Sequence, residues 1–190
     1  MNRVAIGLLC VLLAANPVAA ATVGLFSTPN CTSCNLDIPP NASEGTFYVC
    51  SVGTSETEFC GGFYRLEFRI AGVPLGWAAA AVPSPESHYA LGDPFGTGCS
   101  IGFNAPQTAE CALLYTVTIT PSAPGARATL RARAHAPPMD PDFDCIRAVS
   151  ACPGNIGACV GGGALRINSD VLCSVEVEPA SWTRVKALYE

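Results

Sequence analysis

The stretch Gly62-Phe63-Tyr64-Arg65-Leu66-Glu67-Phe68-Arg69-Ile70 alternates without a break. Tyr64, Leu66, Phe68 and Ile70 are apolar, and Arg65, Glu67 and Arg69 are charged. Successive side chains on a strand point to opposite faces, so a period of two describes a strand with one buried and one wet face. The pattern recurs twice. Leu113, Tyr115, Val117 and Ile119 alternate with Leu114, Thr116, Thr118 and Thr120. Ala128, Leu130, Ala132 and Ala134 alternate with Thr129, Arg131, Arg133 and His135. Thr46–Val52, Trp77–Val82, Cys99–Phe103 and Val171–Pro179 are further strand candidates. Trp77–Val82 is rich in Ala, which favours helix, but six residues are too few to hold one.

Turn residues punctuate these runs: Pro39-Pro40, Gly61-Gly62, Pro83-Ser84-Pro85, Gly92-Asp93-Pro94, Pro124-Gly125 and Pro137-Pro138. Many short strands separated by turns predict an all-β fold, a single antiparallel β-sandwich. Long helical segments do not alternate with the strands, which argues against βαβ units. The small residues Ala128, Ala132 and Ala134 predict a facing sheet with bulky partners, for which Tyr64, Phe68 and Tyr115 are the candidates.

The N-terminus predicts export. Met1-Asn2-Arg3 is basic, Val4–Ala15 is apolar but short for a membrane span, and Ala19-Ala20-Ala21 supplies the small residues of a cleavage site. Residues 1–21 are therefore expected to be a removed signal peptide, with cleavage after Ala20 or Ala21. Leu9 is bulky where a lipoprotein site before Cys10 needs a small residue. Residues 22–178 are expected to form one β-sandwich domain, since about 170 residues can bury a single core. Loss of Arg3 makes the formal net charge of −5 one unit more negative, so there is no basic patch for nucleic acid. No second apolar run is long enough to span a membrane.

The chain has eleven cysteines, and loss of Cys10 leaves an even number. In an oxidising compartment thiols pair. The disulfide candidates are Cys31, Cys34, Cys50, Cys60, Cys99, Cys111, Cys145, Cys152, Cys159 and Cys173. Loop lengths point to Cys99 with Cys111 and Cys50 with Cys60. Cys31 and Cys34 form a C-x-x-C, but no second close pair completes a zinc site, and the residues after Cys34 do not read as the helix a redox motif requires.

Asp140, Asp142 and Asp144 alternate in Pro138–Cys145 and are candidate calcium ligands, because hard oxygen donors suit that ion. The spacing is not that of an EF-hand, since Cys145 sits where its loop needs Gly. A solvated acidic loop is the competing reading, and no other cofactor is indicated. Neither His88 nor His135 lies in a catalytic motif, and both are expected on the surface. A pair of carboxylates for glycoside hydrolysis carries no sequence signature, so a secreted hydrolase stands as the rival function.

The order Gly98-Cys99-Ser100-Ile101-Gly102-Phe103, then Leu113–Thr120, then Ala128–His135 resembles a cohesin-like β-sandwich over roughly Glu58 to Ala136, and Ig-like sandwiches give similar patterns. Over nearly the whole mature chain, Val23–Phe26, Gly98–Phe103, Ala136–Cys145, Val160–Asn168 and Ser181–Tyr189 are similar to a group of uncharacterised secreted bacterial proteins, in which Gly usually follows the tail's Trp. These resemblances imply a secreted, extracellular or cell-surface recognition or structural module that takes a surface protein or a carbohydrate. The tail, 179–190, predicts a short helix: Ser181 is a good cap, and Trp182, Val185, Leu188 and Tyr189 make an apolar stripe. Such a helix cannot stand alone and needs a surface to dock on, either the sandwich or an export or attachment partner.

Overall fold

The computed structural model describes residues 22–52, 64–104, 111–138, 144–150 and 157–172. They form twelve strands and, among the described residues, no helix. In chain order these are β1 (Thr22–Phe26), β2 (Asn35–Leu36), β3 (Gly45–Val52), β4 (Tyr64–Ala71), β5 (Ala78–Pro83) and β6 (Tyr89–Asp93). They continue with β7 (Gly98–Phe103), β8 (Cys111–Thr120), β9 (Ala128–Arg133), β10 (Ile146–Ser150), β11 (Gly157–Gly162) and β12 (Ala164–Ile167). The signal segment, the last strand candidate beyond Leu172, and Trp182, Val185, Leu188 and Tyr189 of the tail lie outside the described residues.

Hydrogen bonding runs in the order β2-β12-β9-β4-β10-β11-β1-β3-β8-β5, with β7 also on β4 and β6 on β7. Most pairings are antiparallel, as expected, but β1–β11 and β2–β12 are parallel. The path doubles back so that β4 faces β3 and β8 without being hydrogen-bonded to either. Phe68 meets Tyr115 edge-on at 6.1 Å between ring centres, and the Tyr64 hydroxyl lies 3.3 Å from Ser51 Oγ. This is the face-to-face packing of a sandwich, with the core between the layers.

The alternation in β4 is realised on its inner side, where Tyr64, Leu66, Phe68 and Ile70 are all buried. The expected large-against-small arrangement is corrected in one respect. β9 does not face β4 but is its hydrogen-bonded neighbour, with Ala132 opposite Ile70. Of the three bulky candidates, only Tyr115 comes from the other layer.

β8 also departs from simple alternation. Val49 is opposite Tyr115 and Cys50 opposite Leu113, so Leu114 has no partner and forms a bulge. The extra residue reverses the phase: Leu114 turns into the core, Leu113 turns away, and Tyr115, Val117 and Ile119 resume the inward set. One bulge thus lets both ends of a ten-residue strand bury apolar side chains.

Phe68→Ala should cost about 3–5 kcal/mol, the range for emptying a buried aromatic site. Leu75→Ala, on a fully exposed residue, should change stability by less than about 0.5 kcal/mol. Urea unfolding of the two variants checks the pair.

Candidate functional site

Residues directly opposite one another in antiparallel strands share a face. On the outer side of β10, β4, β7 and β6 this rule builds two adjacent rows. One row is Arg147, Glu67, Ser100 and Leu91, and the next is Val149, Arg65, Gly102 and Tyr89. The wet face expected of β4 is therefore covered at its centre: Glu67 is 3% exposed.

A carboxylate buried this far must be paired. Arg65 Nη2 lies 2.9 Å from Glu67 Oε1, and Arg147 Nη1 lies 3.9 Å from Oε2. One anion between two cations leaves a local excess of positive charge. It also fixes the Arg65 guanidinium against the sheet, with its Nε buried and without an acceptor among the described residues.

Beside this cluster is a cavity of about 260 Å³, lined by Arg65, Tyr89, Leu91, Ser100 and His135, with Gly92 and Gly98 at its edge. Two glycines on β7 make room for its walls. A Cβ on Gly102 would collide with the Tyr89 ring, and one on Gly98, which also has φ +135°, would collide with the His135 ring. His135 is held by its own loop: Nδ1 donates to Pro137 O at 2.7 Å. His135 is therefore half-buried against the sheet rather than a free surface residue. His88 is a loop residue as expected, its Nδ1 3.2 Å from Asn104 Nδ2.

The sequence marked Arg65 and Glu67 only as a polar face and passed over Tyr89, Leu91 and Ser100. The signal was in Gly98-x-Ser100-x-Gly102. Three small residues at a spacing of two leave one strand face bare, and neighbouring rings can lie down on it.

The cysteines are distributed differently from expectation. Cys31 is bonded to Cys111 and Cys145 to Cys159. Cys34 is disulfide-bonded as well, so the C-x-x-C is two structural half-cystines and not one redox pair. The expected Cys99–Cys111 and Cys50–Cys60 bonds are not formed, because Cys50 and Cys99 are free buried thiols. Cys99 lies on the inner face of β7, within the core. Cys111, at the start of β8, is reached instead by the loop after β1. Burial pushes both free thiols up to about 12. Burial, then Cys99, also raises Tyr115, which shares a hydrogen bond with that thiol. The sulfurs of Cys31, Cys50 and Cys111 all lie within 4.8 Å of one another, two of them already joined as the disulfide. Asp144 is exposed, while Asp140, Asp142, Cys60, Cys152 and Cys173 lie outside the described residues. Among the described residues no helix is long and apolar enough to cross a membrane.

No family model and no curated protein matches the chain. Solved cohesin modules overlap it in outline. One from a Clostridium perfringens family 33 glycoside hydrolase has a TM-score of 0.48 at 9% identity, covering 80% of this chain and 96% of that one. The seventh ScaB type I cohesin of Pseudobacteroides cellulosolvens also has 0.48 at 9% identity, covering 83% and 96%. A non-cellulosomal cohesin from Archaeoglobus fulgidus has 0.45 at 12% identity, covering 80% and 93%.

Glu67→Gln should destabilise the protein by about 2–3 kcal/mol, near the low end for breaking a buried pair because Arg65 is partly exposed. Asp170→Asn, which breaks the exposed Arg127–Asp170 pair, should cost less than about 1 kcal/mol. Equal losses in thermal unfolding would contradict the central role of Glu67.

Proposed function

We propose that the protein is an exported, non-catalytic recognition module that binds a partner protein on the outer face of β10, β4, β7 and β6. The observation that carries this is the cavity beside the Arg65–Glu67–Arg147 cluster. Its walls are rings seated on glycines, and Arg65, its one cation among the described residues, is pinned by a buried carboxylate. Such a site is organised before a ligand arrives, which lowers the ordering cost of binding.

The composition of the site favours a protein ligand. Tyr89 and Leu91 offer apolar surface, and Arg65 offers a fixed charge at one side. An apolar side chain with a neighbouring carboxylate matches both features. A neutral sugar would leave the excess positive charge unanswered. The rival hydrolase needs two carboxylates flanking a cleft. In this cavity the nearest buried carboxylate, Glu67, is committed to two arginines. The leader-like N-terminus and the disulfides support export to an oxidising compartment.

The wild-type protein and Tyr89→Ala should be applied in parallel to a peptide array and a glycan array. Wild type should retain peptides with an apolar residue next to Asp or Glu, and Tyr89→Ala should weaken those spots at least about tenfold, or 1.4 kcal/mol. Binding confined to glycans, or turnover of a glycoside substrate, would overturn the proposal.

A further inference from the structure

Cys50 is fully buried yet lies outside the main core cluster. Past the bulge the inward position passes from Val49 to Ser51, whose hydroxyl lies within hydrogen-bonding distance of Tyr64. Cys50 therefore points to the outer side of β3. What covers it there is the loop after β1, folded back by a 2.7 Å bond from Ser27 N to Ser33 O and tied to β8 by Cys31–Cys111. A free thiol thus sits under a disulfide, with all three sulfurs within 4.8 Å of one another.

We propose that Cys50, Cys31 and Cys111 form a thiol–disulfide exchange site in which the loop's staple moves from β8 to β3. The Cys50 thiolate attacks Cys31 Sγ, a Cys31–Cys50 bond forms, the Cys31–Cys111 bond breaks, and Cys111 leaves as a thiolate. The proton lost by Cys50 goes to solvent, and the Cys111 thiolate takes a proton up from solvent. The number of disulfides is unchanged, so no oxidant or reductant is needed. Attack falls on Cys31 because it belongs to the loop, at φ 59°, while Cys50 and Cys111 stand on paired strands held in register. Either end state leaves the loop tied to the same sheet.

Burial also sets when this happens. Among the described residues burial is the one cause that raises Cys50, and the residues opposite it, Gly24 on β1 and Leu113 on β8, are uncharged. Near neutral pH the attacking thiolate is scarce, so the staple stays on Cys111. Below about 12 each pH unit raises the thiolate fraction, and the rate, about tenfold.

The full chain should be held at pH 7 and at pH 10, quenched in acid, unfolded, treated with N-ethylmaleimide and mapped by mass spectrometry. Among the described cysteines, the label at pH 7 should fall on Cys50 and Cys99. At pH 10 part of it should move from Cys50 to Cys111, with a Cys31–Cys50-linked peptide appearing and Cys99 unchanged. The initial rate should rise about a thousandfold over the three units. Cys50→Ser should abolish Cys111 labelling. Should that variant not fold, Cys99→Ser, which keeps all three sulfurs, should show the same shift as wild type. Label that stays on Cys50 at pH 10 would overturn the proposal. So would a shift that survives in Cys50→Ser or disappears in Cys99→Ser.

Discussion

Both faces of β4 are in use, and the rest of the molecule is arranged around that fact. Its inner side chains, Tyr64, Leu66, Phe68 and Ile70, are among the largest fully buried groups and anchor the core between the layers. Its backbone is paired to β7, β9 and β10. Its outer side carries Arg65 and Glu67, so the strand that centres the core also centres the cavity wall. A pocket built on such a strand inherits the rigidity of the core, whereas a pocket built on loops has to be ordered by its ligand.

Disulfides act at the margins of this arrangement. Cys145–Cys159 ties the approach to β10 to its neighbour β11, and Cys31–Cys111 ties the loop after β1 across the outer face of β3 and β8. They hold segments that contribute little apolar burial of their own. The two free thiols among the described residues occupy different settings. Cys99 is a core residue on β7, hydrogen-bonded to Tyr115. Cys50 lies beneath a staple, and proximity to other sulfurs is what separates a latent site from an inert buried thiol.

The strands were legible where periodicity is local. β4, β8 and β9 follow from alternation alone, because a period of two has one structural meaning over seven or more residues. What alternation cannot carry is phase across a bulge. Nothing in Leu113-Leu114-Tyr115 marks the residue that will lack a partner, since all three are apolar. Nor does it carry pairing: β9 beside β4, and the parallel partners of β1 and β2, depend on contacts between residues far apart in sequence. Cysteine connectivity failed for the same reason. Cys99 and Cys111 are close in sequence but belong to opposite layers, and Cys31 reaches Cys111 across 80 residues. The candidate site was half legible. Arg65 and Glu67 were visible as charges, but their burial depends on Arg147, Tyr89 and His135, which come from three other parts of the chain.

Amide hydrogen exchange read strand by strand tests the central place of β4 most directly. With pairing on both edges and a buried inner face, the amides of Leu66 to Ile70 should be among the slowest in the protein, exchanging only through global unfolding. Those of β5, at the end of the hydrogen-bonded path, should exchange through local opening at least tenfold faster. Protection in β4 equal to or below that in β5 would contradict the account, because neither the core nor the site could then be anchored there.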